Sequence, residues 1–349
     1  MRIQNSRIFR YALPLKAGWR SASSSFAERS GWLLCLETAD GLFGWGDCAP
    51  LPGAVPPHDL LHWYHGLSGL DLVQAQHRLS QSNLTPAARC AVDTALSDLA
   101  AQRAGLPLAR WLNPGANLTV ACNAALGVLD ETALVRALSA VEAGFNMLKL
   151  KVGVAGVEQE LAWLRQVVVA LPQGVLLRLD ANRAWGEENA QRFLAGVEGL
   201  PLEMLEEPLA QPDLTRLGAL QRQTGIALAL DESLPGLGMA PVMAARAVPR
   251  LVLKPMLLGG LHASLEWAHQ AREHGMECVV TTTLDSAVGT LAAAHLAAAL
   301  DNGLRHGLAT SAWLVRDVGR TPRIEDGMMP LGEQPGLGFS PDWNELSPL

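Results

Sequence analysis

The central unit of the chain, residues 147–182, reads MLKLKVGVAGVEQELAWLRQVVVALPQGVLLRLDAN. Two short apolar runs rich in Val and Leu flank a longer segment of helical periodicity, which is typical of a βα unit on a parallel sheet. Six further candidate strands are VACNAAL near Val120, LEMLEE ending at Glu207, GIALALD ending at Asp231, RLVLKP ending at Pro255, ECVVTT ending at Thr282 and HGLATS ending at Ser311. The resulting eight repeats predict an α/β fold with a closed (β/α)8-type barrel. An open doubly wound sheet is disfavoured because the sequence lacks a Gly-rich phosphate turn.

The segments on either side of the barrel have different patterns. Residues 1–115 contain the alternating strands SGWLLCLET and LFGWGDCA, followed by helical segments over 86–103, which predicts an α+β capping domain. Residues 116–315 form the predicted barrel. Residues 316–349 are rich in Gly and Pro, so we expect this tail to return and complete the cap rather than add a barrel unit.

The composition and charge of the chain indicate what kind of partner it binds. The chain has 349 residues, 49% of them hydrophobic, and its net charge of −7 is spread without acidic or basic blocks. This distribution gives no footprint for nucleic acid or for a membrane surface, so a small-molecule partner is expected. The first residues lack the apolar stretch of a secretory signal, the longest apolar run is too short to cross a bilayer, and the five cysteines are scattered, which favours a cytoplasmic protein. The sequence does not indicate an oligomeric state.

Three acids close successive predicted strands. Asp180, Glu206 and Asp231 follow one another at intervals of 25 and 26 residues, about one βα unit each. The reacting groups of a βα barrel lie at the C-terminal ends of its strands, so these carboxylates are expected to converge. Each acid alone could be a helix N-cap. Three in register instead predict a site for Mg²⁺, which prefers hard oxygen ligands, while the adjacent Glu207 and Glu232 are expected outside the ligand set.

Three lysines occupy strands on either side of the acids. Lys149 and Lys151 lie two residues apart on the second predicted strand and therefore share its inner face. Lys254 ends the sixth strand, which is opposite the second in a ring of eight. A metal and a neighbouring ammonium both disfavour protonation of Lys151, so this lysine is a candidate general base. The pattern predicts proton transfer beside the carboxylate of a small-molecule substrate.

The motifs around these residues resemble the enolase superfamily, in its muconate-cycloisomerase-like branch with paired barrel lysines. They are KLKVG at 149–153, RLDANRAW at 178–185, LEEP at 205–208, ALDESL at 229–234, VLKPMLLGG at 252–260 and GWGDCAPLPG at 44–53. Within that branch they look like the o-succinylbenzoate synthases of menaquinone biosynthesis. The resemblance extends over nearly the whole chain, and the combination of motifs is more specific than any one of them.

The resemblance implies a lyase reaction and a role for each charged residue. Asp180, Glu206 and Asp231 would be Mg²⁺ ligands, with Mn²⁺ as a substitute. Lys151 would remove the proton next to the carboxylate of 2-succinyl-6-hydroxy-2,4-cyclohexadiene-1-carboxylate, and loss of water would then give the aromatic ring. In the same family Lys149 would adjust the pKa of Lys151, and Lys254 would stabilise the enediolate.

The resemblance also implies substrate contacts. Asn182 matches a site position of the family, and Arg29 is expected in a cap loop that closes over the substrate. Thr281 and Thr282 would reach the succinyl carboxylate from the seventh strand. Asp285 stands where family members commonly have Glu.

Other reactions and classes share parts of this pattern. N-acylamino acid racemases, dipeptide epimerases and muconate cycloisomerases carry the same lysine pair, although HGLATSAWLV has no D-x-D pair to hold the α-ammonium group of a dipeptide. A Schiff-base aldolase would also place a lysine at a strand end, but would not need three acids. A non-catalytic scaffold would be expected to have lost a lysine or a ligand.

Overall fold

The computed structural model describes residues 1–20, 25–53 and 58–349. Its N-terminal part is an antiparallel sheet with four helices packed beside it, as an α+β cap requires. The elements are β1 (Ile3–Arg20), β2 (Ser25–Thr38), β3 (Phe43–Cys48), α1 (His58–Trp63), α2 (Leu72–Ser80), α3 (Pro86–Ala104) and α4 (Leu108–Leu112). Helix α3 is buried on nearly all sides and lies against β3, where Gly46 permits the approach: an added Cβ would stand 1.8 Å from the Ala91 carbonyl oxygen.

The main body is a curled parallel sheet in which each strand pairs with its neighbours in sequence. Its strands are β5 (Ala124–Val128), β6 (Met147–Lys151), β7 (Leu176–Asp180), β8 (Leu202–Glu206), β9 (Ala227–Leu230), β10 (Arg250–Leu253) and β11 (Glu277–Val280). The helices outside it are α5 (Ala133–Glu142), α6 (Val157–Ala170), α7 (Glu187–Gly196), α8 (Leu214–Arg222), α9 (Leu234–Leu237), α10 (Met239–Ala245), α11 (Pro255–Leu258), α12 (Leu261–Glu273) and α13 (Ala287–Leu300). Met204, Ala229, Val252 and Val279 fill the interior. The predicted α/β barrel class is therefore confirmed.

The eighth predicted strand is the exception. HGLATS makes only two single-residue parallel bridges, from His306 to Cys122 and from Gly307 to Thr281, before a 3-10 helix over Ala309–Trp313. The ring of His306 takes a place that a strand backbone would hold, since its Nδ1 accepts the Val280 N–H at 2.9 Å. The gap between the first and seventh strands is thus closed by two residues rather than by a full strand.

The first predicted strand is also divided. The short strand β4 (Thr119–Ala121) pairs antiparallel with β12 (Met328–Pro330) of the tail, and β5 begins after it. The last strand, β13 (Ser347–Pro348), pairs with β1 of the cap sheet. The tail therefore contacts both the cap and the entrance to the barrel sheet.

Buried charged groups join the cap to the barrel. Asp93 of α3 accepts hydrogen bonds from the backbone N–H groups of Leu261 and His262, so it caps α12 from another helix. Asp47 of β3 accepts from the Ser286 hydroxyl at 2.8 Å and from the Tyr11 hydroxyl at 2.7 Å. These contacts fix the cap over the barrel mouth. Among the described residues, no helix has both the length and the hydropathy that crossing a bilayer requires.

Candidate active site

Three carboxylates meet at the C-terminal edge of the barrel sheet. Asp180 ends β7, Glu206 ends β8 and Asp231 directly follows β9, and Asp180 and Glu206 are paired in register. Each is at most 2% exposed. One oxygen from each lies within 4.8 Å of the others, so the predicted convergence of the three acids is observed.

This arrangement fits a divalent cation. Mg²⁺ holds oxygen ligands at about 2.0–2.1 Å, which puts opposite ligands about 4 Å apart, so a small contraction of the triad is enough. The Asp231 Oδ1 atom is buried without a hydrogen-bond partner among the described residues, as expected of an oxygen reserved for a cation. The candidate ligands are all oxygens, which suits Mg²⁺ rather than Zn²⁺.

The three predicted lysines contact the triad from two sides. Lys149 donates to Glu206 and lies 3.3 Å from Asp180, while the Lys151 ammonium is 3.5 Å from Asp180 Oδ2. Lys254 donates to Asp231 Oδ2 at 2.5 Å. Lys151 ends β6 and Lys254 follows β10, four strands further round the barrel. The lysines therefore approach the acids from opposite walls of the mouth.

The pKa values of Lys151 and Lys254 are shifted in opposite directions. Burial lowers the pKa of Lys151, and the nearby Lys149 and Lys254 ammonium groups lower it further against the attraction of Asp180. Burial would also lower the pKa of Lys254, but the charges of Asp231 and Glu232 raise it above its ordinary value. Lys151 is thus the lysine that loses its proton more readily, and Lys254 is the one that stays protonated.

A small network surrounds Lys151. Its ammonium donates to Asn182 Oδ1 at 2.5 Å, and Asn182 Nδ2 donates to Glu232 Oε1 at 3.4 Å. Burial and the Asp231 and Asp180 charges raise the pKa of Glu232 to about 8. Glu232 is outside the converging triad, as predicted, but its contact with Asn182 was not predictable from the sequence.

Glu207 has a structural role that the sequence did not reveal. Its Oε1 accepts from the backbone N–H groups of Asp231 and Ser233 and from the Ser233 hydroxyl. The side chain is 1% exposed and its φ is +44°, a left-handed conformation that non-glycine residues seldom adopt. Glu207 therefore fixes the turn that carries Asp231. The only sequence features that indicate this contact are the adjacent glutamates at 206–207 and the Asp-Glu-Ser stretch at 231–233.

A cavity of about 330 Å³ opens above these charges between the barrel and the cap. Its apolar surface comes from the cap and from Leu257 and Leu284 of the barrel. The cap residues lining it are Trp19, Phe26, Leu51 and Pro52. The Lys151 ammonium lies 5.2 Å from the centroid of the Trp19 ring, a cation–π distance. Trp19 and Phe26 were not among the predicted site residues, although their aromatic side chains beside the serine-rich stretch 21–24 were an available signal.

The predicted substrate contacts have different outcomes. Asn182, Thr281 and Thr282 all line the cavity, and the Thr282 hydroxyl lies 2.5 Å from that of Thr310. The placement of Arg29 in a cap loop was wrong. Arg29 lies within β2, is 1% exposed, and donates to the backbone carbonyls of Ala49, Pro50 and Thr283. Arg29 is absent from the lining of the cavity, and these backbone carbonyls bind its guanidinium instead.

Asp285 is likewise absent from the lining of the cavity. Its carboxylate accepts from the Thr283 N–H at 3.1 Å and also from the Thr283 hydroxyl. Among the described residues that line the cavity, the acids are Asp180 and Glu232. The short side chain of Asp285 therefore bears on the packing of the loop over 281–284 rather than on direct contact with substrate.

Comparison with known proteins defines the class. A family model described as "Enolase C-terminal domain-like" matches residues 132–345, more than half of the chain. Together with the barrel and its acid triad, this match shows that the chain belongs to the enolase superfamily, as its motifs predicted.

Individual relatives are more specific. The chain is 28% identical to the hydrophobic dipeptide epimerase of Enterococcus faecalis over 97% of its length and 100% of that relative. It is 31% identical to the L-Lys-D/L-Arg epimerase of Methylococcus capsulatus over 97% of this chain and 99% of the relative. The o-succinylbenzoate synthase of Desulfotalea psychrophila is 31% identical over 53% of this chain and 52% of the relative.

A solved structure of the Enterococcus faecalis dipeptide epimerase, complexed with Mg and the dipeptide L-Leu-L-Tyr, superimposes with a TM-score of 0.89. It is 28% identical and covers 97% of this chain and 100% of that chain. The presence of Mg in a related structure and the convergence of the acid triad confirm the predicted Mg²⁺ cofactor.

Proposed function

We propose that the chain is a Mg²⁺-dependent racemase or epimerase that inverts the carbon next to the carboxylate of an N-acylated amino acid. The observation that carries this proposal is the approach of Lys151 and Lys254 to one acid triad from opposite walls. Inversion needs a base on one face of the carbon and an acid on the other. The relatives that match the chain over nearly its full length support it, since their names are those of epimerases.

The lysines would act on the two faces in turn. Asp180, Glu206 and Asp231 would hold Mg²⁺, which when bound supplies positive charge that stabilises an enediolate. Lys151 breaks the α C–H bond on one face, and the electron pair moves toward the carboxylate. Lys254 then delivers a proton to the other face, so the carbon is inverted and each lysine has exchanged its protonation state.

The cavity wall suggests the substrate class. A free α-ammonium group would require an acidic partner, but Asp180 belongs to the triad and Glu232 already contacts Asn182. Residues 21–24 and 54–57 contain no acid in the sequence. Trp19, Phe26 and Leu51 offer apolar surface instead. A neutral acyl group and an apolar side chain therefore fit the described cavity better than a charged N-terminus.

Dehydration to o-succinylbenzoate is the second candidate. It is favoured by the motif resemblance and by a synthase that matches about half of the chain. Lys151 could remove the proton beside a carboxylate in that reaction as well. A Schiff-base aldolase has less support because it needs a reactive lysine but no group of converging acids, whereas three buried carboxylates converge here.

A substrate panel tests the proposal. The purified protein with Mg²⁺ is incubated in D2O with N-acetyl- and N-succinyl-phenylalanine, with L-Leu-L-Tyr and with the cyclohexadiene carboxylate. NMR then follows α-proton exchange, and chiral chromatography follows inversion. We expect exchange and inversion of the N-acyl amino acids. Conversion of the cyclohexadiene alone would reject racemisation, and borohydride trapping without metal would indicate the aldolase.

A further inference from the structure

Lys151 and Lys254 are held in different ways. Among the described residues, Lys254 makes its side-chain hydrogen bond to Asp231 alone. Lys151 instead bonds the amide oxygen of Asn182 at 2.5 Å, with Asp180 further away at 3.5 Å. A lysine side chain has four rotatable bonds, so a neutral, fixed acceptor is an effective way to place its nitrogen.

Asn182 is itself tightly fixed. Its backbone N–H donates to Asp180 Oδ1 at 3.0 Å, and its φ of +42° lies in the left-handed region that Asn tolerates better than most residues. The following residue, Arg183, also has a positive φ, and its N–H donates to the Glu207 carbonyl oxygen at 2.8 Å. The turn thus anchors Asn182 to the strand end that carries a triad residue.

Glu232 determines which end of the amide faces the lysine. An amide can rotate to exchange its oxygen and its NH2 group, and an NH2 group cannot accept from an ammonium. Glu232 Oε1 accepts from Asn182 Nδ2 at 3.4 Å, which leaves Oδ1 directed at Lys151. The other Glu232 oxygen, Oε2, is buried without a hydrogen-bond partner among the described residues. Among these residues, the Glu232 carboxylate therefore bonds to Asn182 alone.

We propose that Asn182 is a positioning residue for Lys151, and that Glu232 orients the Asn182 amide for this purpose. The inference rests on the proposed two-lysine inversion. Asn182 thereby has a role other than substrate contact. Because only Lys151 is positioned in this way, proton transfer on the two faces of the α-carbon depends on different residues. Loss of the Asn182 contact should slow proton removal by Lys151 and leave proton removal by Lys254 nearly unchanged.

The test measures deuterium exchange separately from each enantiomer of N-succinylphenylalanine. Lys151→Ala and Lys254→Ala first identify which enantiomer each lysine deprotonates. Asn182→Leu and Glu232→Leu are then expected to slow exchange by about 10–100-fold for the enantiomer that depends on Lys151, because a misplacement of about 1 Å is this costly. In Asn182→Leu, exchange from the other enantiomer should change by less than about 3-fold. Glu232→Leu also removes a charge that raises the pKa of Lys254, so this variant tests only the Lys151-dependent enantiomer.

Two controls separate positioning from general damage. Asn189→Leu alters an exposed asparagine of α7 and should leave both exchange rates unchanged. Glu232→Gln keeps an oxygen that can accept from Asn182 and should retain most of the Lys151-dependent exchange. Equal losses for both enantiomers in Asn182→Leu would overturn the proposal, since a defect in folding or metal binding would have that effect.

A second measurement does not depend on the reaction. In crystal structures of the Mg²⁺-loaded wild type and Asn182→Leu, we expect the Lys151 Nζ atom to be displaced or disordered in the variant, with Lys254 unchanged. An unmoved Lys151 would reject the positioning role. If the wild type exchanges no N-acyl amino acid but the displacement is seen, the proposed function fails while the positioning role stands.

Discussion

The Lys254 ammonium donates to Asp231 Oδ2 at 2.5 Å, while Oδ1 of the same carboxylate is buried and has no hydrogen-bond partner among the described residues. One carboxylate therefore has one oxygen bonded to a lysine and the other available to a cation. This ties the candidate acid directly to the candidate metal centre. Replacing either group should affect the same reaction, by different routes.

Lys151→Ala and Lys254→Ala should each lower the rate of inversion by at least about 100-fold, which is the lower range for loss of a general acid or base. Both residues are at the mouth, so we expect far-UV circular dichroism to be unchanged. The rate is measured by polarimetry on an N-acyl amino acid. More than a tenth of the wild-type rate in either variant would remove that lysine from the mechanism.

Removing the metal should abolish activity, and adding Mg²⁺ should restore it. Because a ligand that binds only the folded state stabilises it, Mg²⁺ should also raise the melting temperature of the chelator-treated protein. Glu206→Gln should lose most of this rise, as one of the three carboxylates is neutralised. A full Mg²⁺-dependent rise in Glu206→Gln would contradict its assignment as a ligand.

Thr310→Asp should shift selectivity toward dipeptides with a free ammonium group. Thr310 lines the cavity beside Thr282, within hydrogen-bond distance of its hydroxyl. A charge-assisted hydrogen bond contributes about 1.5–3 kcal/mol, or roughly a tenfold or larger change. The readout is the ratio of kcat/KM for L-Leu-L-Tyr to that for N-acetylphenylalanine. The control Thr310→Asn introduces a side chain of the same shape as Asp but without its charge, so it should leave this ratio unchanged. An equal shift in both variants would rule out the electrostatic explanation.

Arg29→Met should destabilise the protein by about 3–5 kcal/mol, because three backbone carbonyls lose their donor and each unsatisfied buried group costs about 1–3 kcal/mol. Burial raises the pKa of Asp285, and Arg29 opposes this effect. Arg192→Met is the matched control, since Arg192 makes an exposed ion pair with Glu158 and such pairs contribute at most about 1 kcal/mol. Urea unfolding measures the loss of stability in both variants, and comparable losses would refute the role of Arg29 as a buried donor to these carbonyls.

His262 should make stability depend on pH. Its Nδ1 lies 2.7 Å from Asp93 Oδ1, and this hydrogen bond raises the pKa of His262 despite partial burial. A raised folded-state pKa stabilises the protein at pH values below about 6.5, and this contribution is lost as the pH rises through the folded-state value. The side chain is half exposed, so the effect should be below about 1 kcal/mol.

His262→Gln removes the titration while both backbone N–H groups that Asp93 caps remain. The difference in unfolding free energy between wild type and variant should therefore be largest near pH 5.5 and shrink toward pH 8. Urea unfolding at these pH values measures it. A difference that grows with pH would show that the charged form is not the one stabilised.

The barrel and its charged rim were predictable because both depend on local rules. Apolar runs of strand length alternated with helical segments, and acids or lysines ended several runs. The period of two along a strand then placed Lys149 and Lys151 on one face. The eighth strand was predicted from the same pattern, but the His306 ring bonds Val280 and replaces a strand backbone there. No sequence pattern distinguishes a full strand from a segment in which a histidine ring accepts the neighbouring strand's N–H.

The sequence by itself determined the fold class, the acid triad and the lysines, because spacing along a barrel fixes which strand ends meet. Only the tertiary structure decided the position of Arg29, the aromatic wall formed by Trp19 and Phe26, and the contact of Glu232 with Asn182. These features join residues from the cap and barrel, or from different loops. Their separations along the chain are unrelated to any helical or strand period, so they arise only when the elements pack.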